Sequence, residues 1–241
     1  MTGADDLPSR HDTLVLVPGL VCDADLFAEQ SAALRAGGLR VVVPDVSGGA
    51  SMGEMADAVL AAAPERFALA GLSMGGYVAQ QVVRQAPDRV TALALLDTSA
   101  RPESAAQTER RRGLERLGRE RGYGAVLDAL WPAEVAPSRH GDTALRARFD
   151  RMCGGFGLEV FVRQQQAITA RLDSRPLLAG LGVPVLVLCG RDDAITPLDH
   201  HDEMARLAPT AALVVLDDCG HLSTWERPDE VTAALRSWLA R

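Results

Sequence analysis

Short, uniformly apolar runs alternate along the chain with longer stretches whose apolar residues recur at helical spacing. The apolar runs predict strands at 14–17, 41–43, 67–70, 93–96, 185–188 and 213–216. The helical patterns fall near 26–36, 52–62, 75–85, 198–207 and 228–239. Strands that are apolar throughout are typical of a sheet covered on both faces. The alternation therefore predicts an α/β fold with a mostly parallel central sheet flanked by helices.

One long interval, between residues 96 and 185, contains helical patterns and no convincing strand. We predict that 101–175 form a helical lid inserted into a core made of 1–100 and 176–241. Loops that follow the strands of such a sheet line the ligand crevice, so an insertion there should cover the site. The larger apolar side chains of this interval are candidates for substrate binding, or for the lid's own core: Tyr123, Trp131, Met152, Phe156 and Phe161.

Composition narrows the class of protein. The 241 residues are 47% hydrophobic and 24% charged, which suits one globular domain with a full core. A net charge of −7 argues against a nucleic-acid partner. No apolar run is long enough to cross a bilayer, and the acidic start of the chain lacks a signal pattern, so we expect a cytoplasmic protein without a membrane partner. The sequence gives no indication of the oligomeric state.

The residue types also restrict the chemistry. The chain contains no lysine, which excludes lysine nucleophiles and lysine-activated serines. Its four cysteines form no CxxC pair, so we expect neither a disulfide framework nor a zinc site. The run Asp199-His200-His201-Asp202 offers metal-ligand side chains, but adjacent residues on a helix splay apart, and we interpret it as a polar surface turn. We expect no metal and no organic cofactor.

The strongest chemical signal is Gly71-Leu72-Ser73-Met74-Gly75, which lies between a predicted strand and a predicted helix. A serine at such a junction sits on a sharp, strained turn, and side chains two positions away on either side would collide. The turn would expose the hydroxyl beside the amino end of the helix, where developing negative charge is favoured. The alternative is an ordinary glycine-containing loop. We interpret Ser73 as a nucleophile.

A serine nucleophile needs a base, and the base needs an orienting carboxylate. Of the five histidines, His221 alone follows a late strand through a short turn. Asp192 and Asp193 stand just beyond the preceding strand, and sequence spacing does not choose between them. The backbone amides of Leu20 and Met74 are the expected oxyanion donors, each worth roughly 3 kcal/mol of the barrier.

The chain resembles the α/β-hydrolase superfamily over essentially its whole length. The resemblance is carried by Pro18-Gly19-Leu20, Pro44-Asp45, the segment 71–76, the segment 190–197, and Gly220-His221 with Glu226 and Pro228. It is similar to small esterase-like and lactonase-like members with a helical lid. The family's Gly-x-x-Asp-x-x-x-Pro segment fits Gly190, Asp193 and Pro197, which favours Asp193 over Asp192 as the acid. The chain departs from the family where His-Gly is usual, at Pro18-Gly19, and after Asp45, where the family's Arg-Gly-x-Gly-x-Ser loop is absent.

The resemblance and the residues together predict a serine hydrolase that cleaves a small to medium ester, lactone or thioester. Ser73 would form an acyl-enzyme, His221 would act as base and acid, and Asp193 would hold the imidazole. The rate should rise with pH through one ionisation near neutrality. Two alternatives stay open. One is a carbon–carbon bond hydrolase or lyase that uses the same triad, and the other is a non-catalytic ligand-binding homologue.

Overall fold

The structure, a computed structural model, describes residues 11–241, so the acidic segment 1–6 behind the localisation prediction lies outside the described residues. In this range six strands form one parallel sheet in the order β2-β1-β3-β4-β5-β6. The strands are β1 Thr13–Val17, β2 Arg40–Val42, β3 Phe67–Leu72, β4 Val90–Leu96, β5 Val185–Gly190 and β6 Ala211–Leu216. Each predicted strand overlaps its observed counterpart, and the predicted α/β class is confirmed.

The five helices with predicted positions are observed within two residues of those positions, and six more helices lie among the described residues. They are α1 Ala28–Ala36, α2 Met52–Ala62, α3 Met74–Gln85, α4 Ala105–Arg121, α5 Tyr123–Glu134, α6 Thr143–Gly154, α7 Gly157–Thr169, α8 Arg175–Ala179, α9 Leu198–Leu207, α10 Ser223–Glu226 and α11 Pro228–Leu239. Short 3-10 turns lie at Ala24–Phe27, Pro87–Arg89 and Pro137–Arg139. The ends follow local chemistry. The Ser51 side chain caps α2, and Ser104 and Gln107 form a reciprocal capping box at the start of α4.

The sheet separates two apolar layers, because neighbouring residues of each strand point to opposite faces. Leu14 and Leu16 of β1 pack into the layer that contains α1 and α11. Val15 and Val17 pack into the layer that contains α2, α3 and α9. Burial on both faces explains why β3 and β5 are apolar from end to end and why β1 is apolar from Leu14 to Val17.

The interval without a strand pattern folds as helices. Helices α4, α5, α6 and α7 follow β4, and α8 leads into β5, with no strand among the described residues 97–184. Ion pairs dock this segment on the core: Arg148 of α6 bonds Asp25 and Glu29, and its guanidinium stacks on Trp225. In the described part of the chain, no helix is both long and apolar enough to cross a bilayer.

Candidate active site

Ser73 occupies the sharp turn between β3 and α3. Its φ of 56° lies in the left-handed region, which is strained for a residue with a side chain. A Cβ on Gly71 would lie 2.1 Å from the carbonyl oxygen of Gly75, and a Cβ on Gly75 would lie 2.0 Å from that of Val17. Only glycine fits at these two positions, and the tight packing holds Ser73 in its strained conformation.

The side chain of Ser73 is in hydrogen-bond contact with His221. The distance between Ser73 Oγ and His221 Nε2 is 2.8 Å, and His221 Nδ1 lies 2.8 Å from Asp193 Oδ2. The three residues come from three separate strand ends: the turns after β3, β5 and β6. In the tautomer that fits this arrangement, Nδ1–H donates to Asp193 and Nε2 accepts the Ser73 proton.

Asp193 is the carboxylate that faces His221, whereas Asp192 is exposed. Asp193 Oδ1 accepts the backbone N–H groups of Ile195 and Thr196, and Oδ2 accepts the Thr196 hydroxyl as well as the imidazole. Four donors therefore point at one buried carboxylate. The sequence offered no reason to single out Thr196, because its role depends on how the turn after β5 closes.

Burial and charge pairing act in opposite directions on the pKa values of His221 and Asp193. Burial by itself lowers the pKa of His221, but the charge and hydrogen bond of Asp193 outweigh it and raise that pKa to about 9. Burial likewise opposes ionisation of Asp193, yet the His221 charge and the surrounding donors hold its pKa below the usual value. The ionisation of His221 is thus displaced from the neutral range that the sequence predicts.

A second buried carboxyl, Asp97, lies at the end of β4 beside this pair. Its Oδ1 accepts the Gly190 N–H at 3.0 Å, and its Oδ2 accepts the Ser223 hydroxyl. Burial and the charge of Asp193 hold the pKa of Asp97 well above its usual range. Asp97 therefore ties the turn that carries Asp193 to the segment just after His221. Sequence reasoning did not single it out.

His201 also differs from the sequence interpretation, which placed 199–202 in a polar surface turn. It lies on α9, is fully buried, and its Nε2 accepts the Thr98 N–H at 3.0 Å. The Thr98 hydroxyl in turn donates to the backbone oxygen of Ser73 at 2.7 Å. Burial lowers the pKa of His201 to about 4, which keeps the acceptor nitrogen unprotonated. Its neighbour Asp199 pairs with Arg101. Across residues 11–241, no group of three or more histidine, cysteine or acidic side chains could hold a metal ion.

The two predicted oxyanion donors come from different segments of the chain. Met74 is the first residue of α3, where a backbone N–H has no intrahelical acceptor, whereas the N–H groups of Gly76 and Tyr77 in the same turn donate to the Ser73 oxygen. Leu20 lies in the loop after β1 and lines the cavity beside Ser73. Gly19 lies close to the Ser73 turn: a Cβ there would be in ordinary van der Waals contact with the Leu72 oxygen at 3.5 Å and the Ser73 Cβ at 3.6 Å.

A cavity of about 210 Å³ opens beside Ser73 and His221. Its wall comes from the loop after β1, the turn after β3, and helices α4, α5 and α7. The apolar part consists of Leu20, Leu72, Tyr77, Leu114, Leu130, Ile168, Ile195 and Leu222, with smaller alanines between them. The polar part comprises Arg110, Arg111, Glu134 and Gln165 besides Ser73 and His221.

The structure places the five residues predicted to bind substrate outside the wall of this cavity. Tyr123, Trp131, Met152, Phe156 and Phe161 do not line this cavity but pack into the apolar layer between the helices and the core. The Trp131 and Phe149 rings pack at a tilt of 51° with centroids 5.6 Å apart, and Tyr123 and Phe161 at the same tilt with centroids 5.9 Å apart. Large aromatic side chains are buried where they gain most contact area, and Tyr77 is the one aromatic residue among the described residues that line the cavity. The alternative, that they form the core of the helical segment, is the one that fits.

A carboxyl group, Glu134 of α5, lines the cavity together with His221 and Arg110. Its backbone oxygen accepts the Leu222 N–H at 2.9 Å, which anchors the end of α5 to the segment after His221. Burial raises the pKa of Glu134 to about 7. Nearby, Glu226 accepts the N–H groups of both Ala136 and Gly220, joining the helical segment to the His221 turn.

A sequence model of the alpha/beta hydrolase family matches residues 14–234, nearly the whole chain. The chain belongs to the alpha/beta hydrolase family. The match includes both strand ends that carry Ser73 and Asp193 and the turn that carries His221. It also includes helices α4 to α7, so the family resemblance extends over the helical segment.

Individual alpha/beta hydrolases are similar over most of the chain. A thermophilic esterase from Thermogutta terrifontis is 33% identical, with a TM-score of 0.84 over 94% of this chain and 89% of that one. The enol-lactonase from Burkholderia xenovorans LB400 is 26% identical, with a TM-score of 0.85 over 96% and 92%. A 2-hydroxy-6-oxononadienedioate/2-hydroxy-6-oxononatrienedioate hydrolase of Pseudomonas sp is 29% identical over 73% of this chain, and the match spans only 64% of that relative's length.

Proposed function

We propose that this alpha/beta hydrolase is a serine hydrolase that cleaves small carboxylic esters, lactones or thioesters. The observation that carries the proposal is the continuous hydrogen-bonded contact from Ser73 through His221 to Asp193, at 2.8 Å in both steps. A nucleophile, a base and an orienting carboxylate in hydrogen-bond reach are what acyl transfer needs. A ligand-binding homologue has no use for a strained serine held against an imidazole.

In the proposed mechanism, His221 Nε2 takes the Ser73 proton as Oγ attacks the carbonyl carbon. The oxyanion of the tetrahedral intermediate accepts hydrogen bonds from the Leu20 and Met74 amides. His221 then donates its proton to the leaving oxygen or sulfur, which leaves an acyl-enzyme on Ser73. Water attacks the acyl carbon, His221 takes the water proton, and the proton returns to Ser73 as the acid departs. Asp193 stabilises the imidazolium without becoming protonated.

The cavity supports a small, mostly apolar substrate. Its volume of about 210 Å³ is below the ~300 Å³ at which pockets for drug-sized ligands begin. The wall facing Ser73 is dominated by Leu, Ile and Ala side chains, which favour an aliphatic acyl group. An esterase and an enol-lactonase are among the similar structures, which agrees with this class of substrate.

We further propose that residues 101–175 act as a lid over the site. Arg110, Arg111 and Leu114 of α4, Leu130 of α5 and Ile168 of α7 supply one side of the cavity wall. A substrate would therefore be enclosed between the lid and the strand ends, away from bulk water. No nucleic-acid partner, organic cofactor or membrane partner enters the proposal, and a cytoplasmic location stays a prediction.

The principal alternative is a carbon–carbon bond hydrolase that uses the same three residues. It is favoured by the similarity to the 2-hydroxy-6-oxononadienedioate/2-hydroxy-6-oxononatrienedioate hydrolase, which is 29% identical. Both candidates require Ser73, so the substrate decides between them. The ester assay is therefore run beside a second assay with a 2-hydroxy-6-oxo-dienoate as substrate. Cleavage of this compound shortens its conjugated system, and the loss of absorbance is measured.

The test is hydrolysis of p-nitrophenyl esters of increasing acyl length by the wild-type protein, Ser73→Ala and Ser237→Ala. Ser237 is an exposed serine on α11 and is the matched control. We expect turnover to peak at about two to six acyl carbons, given the size of the cavity. Ser73→Ala should lower kcat by at least ~10³-fold, and Ser237→Ala should leave it unchanged.

Two outcomes would contradict the proposal. Near-wild-type turnover in Ser73→Ala would exclude the acyl-enzyme mechanism. Turnover of the dienoate without turnover of any ester would assign the site to carbon–carbon cleavage. Labelling by a fluorophosphonate, located by mass spectrometry, separates an active nucleophile from a binding-only homologue, because only an activated Ser73 would react.

A further inference from the structure

The loop after β1 contains a strained residue at its centre. Val21 has a φ of 47°, a left-handed conformation that β-branched side chains rarely adopt. The Cys22 N–H donates to the Gly19 oxygen at 3.3 Å and closes a tight turn, with Leu20 and Val21 as its central residues. A positive φ at the third residue of such a turn is normally left to glycine or asparagine. Something outside the loop must therefore hold Val21 in place.

The group that holds it is a glutamine from helix α7. The Val21 N–H donates to Gln164 Oε1 at 2.7 Å, between residues 143 positions apart in sequence. Both residues are 1% exposed, so neither group has water as an alternative partner. A buried N–H and a buried amide oxygen each cost stability when unpaired, and this bond satisfies both.

Gln164 is itself rigidly placed. It lies on α7, whose Phe161 and Ile168 are buried in the two apolar layers. Val162, two residues before Gln164, is also buried. Arg163 donates a hydrogen bond to the backbone oxygen of Ser47 at 2.7 Å. The amide oxygen of Gln164 is thus a fixed point against which the loop after β1 is set.

We propose that Gln164 is a positioning residue for the oxyanion hole: by holding the Val21 N–H, it fixes the strained turn from which the Leu20 amide is aimed at the substrate carbonyl oxygen. The proposal rests on the proposed serine hydrolase function, and it deepens that function by assigning a role to α7. Without Gln164, Val21 relaxes to a negative φ, the turn opens, and the Leu20 amide moves away from the oxyanion. Preorganised donors lose most of their value when they must reorient during the reaction.

The experiment compares Gln164→Leu, Gln164→Glu and Gln166→Leu in the full-length protein with p-nitrophenyl acetate. Leucine removes the acceptor at similar size, whereas glutamate keeps a carboxyl oxygen at the same reach. Gln166 is exposed on the same helix and is the matched control. We expect Gln164→Leu to lower kcat about 10- to 100-fold with KM changed less than about threefold. Gln164→Glu and Gln166→Leu should stay within about threefold of the wild type.

A second readout is the affinity for phenylboronic acid, whose tetrahedral adduct with Ser73 places an oxygen in the oxyanion hole. The inhibition constant should rise in Gln164→Leu by a factor similar to the loss in kcat. If Gln164→Leu does not fold, Gln164→Asn takes its place, because its shorter side chain keeps the amide but cannot reach Val21. Circular dichroism and thermal melting confirm that the variants compared are folded.

The outcomes separate this proposal from the proposed function. Equal kcat in Gln164→Leu and Gln166→Leu, with Ser73→Ala inactive, would overturn the role of Gln164 and leave the hydrolase intact. Equal losses in Gln164→Leu and Gln164→Glu would assign the effect to packing and also overturn it. Undiminished turnover in Ser73→Ala would refute the proposed function itself.

Discussion

Gly75→Ala places the smallest possible side chain where the structure has no room for it. The added Cβ would lie 2.0 Å from the Val17 oxygen and 2.7 Å from the Pro18 oxygen. Ordinary van der Waals contact begins near 3.4 Å, so the start of α3 and the end of β1 would have to separate by about 1.4 Å. Both contacts are backbone atoms, which cannot rotate away as the end of a side chain can.

This separation falls on the two segments that carry the proposed oxyanion donors. Met74 precedes Gly75 at the start of α3, and Leu20 follows Pro18 in the loop after β1. A misplacement of ~1 Å in a reacting geometry costs about 100-fold in rate, so we expect kcat to fall at least that far. Overpacking of this kind costs roughly 1–3 kcal/mol of folding free energy, which lowers Tm by a few to about ten degrees.

The assay is turnover of p-nitrophenyl acetate together with thermal melting, with Gly113→Ala as the matched control. A Cβ on Gly113, inside α4, meets nothing closer than 3.9 Å. The same substitution should there leave kcat unchanged and raise the stability of the helix by up to ~1 kcal/mol. A folded Gly75→Ala protein with kcat within threefold of the wild type would refute the reasoning.

Two further predictions concern the ionisable groups. Asp193→Asn should lower kcat by about 10⁴-fold, because His221 loses the partner that sets its tautomer. The control Asp192→Asn, at the exposed neighbouring residue, should have little effect on kcat. Equal losses of kcat in the two variants would contradict the assignment of Asp193. The rate should rise with pH through a midpoint at about pH 9, the pKa of His221, rather than near neutrality, because His221 accepts a proton only when it is deprotonated. Glu134→Gln should move this midpoint to lower pH, because the Glu134 carboxylate stabilises the imidazolium in the wild-type protein. An unchanged pH profile of kcat/KM would argue against that coupling.

The fold could be predicted because burial on both faces leaves a plain signature in the residues. β3 and β5 are apolar from end to end, and α9 and α11 begin and end at the predicted positions. The Ser73 turn could be predicted as well, because only glycine fits at positions 71 and 75. Each of these features leaves its signal in a few consecutive residues, and the local sequence therefore indicates it.

The cavity wall could not be predicted in the same way. Tyr123 and Phe161 are the right residue types for a substrate pocket, yet they pack in the apolar layer without lining the cavity, while Leu114 and Ile168 pack against buried residues and also line the cavity. Both sets are apolar residues at helical spacing. Which face of a helix meets the core and which meets the cavity depends on how the helices dock on the sheet.

The sequence alone determined the α/β architecture, the strained turn at Ser73 and the residue types of a nucleophile, a base and an acid. Only the tertiary structure decided which carboxylates and amides work together. Asp97 reaches Gly190 and Ser223 across the strand ends, and Gln164 of α7 reaches Val21 in the loop after β1. Such bonds join residues more than ninety positions apart, or 143 in the case of Gln164. Their partners become neighbours only when the parallel strands align their carboxyl ends and the helices pack over them.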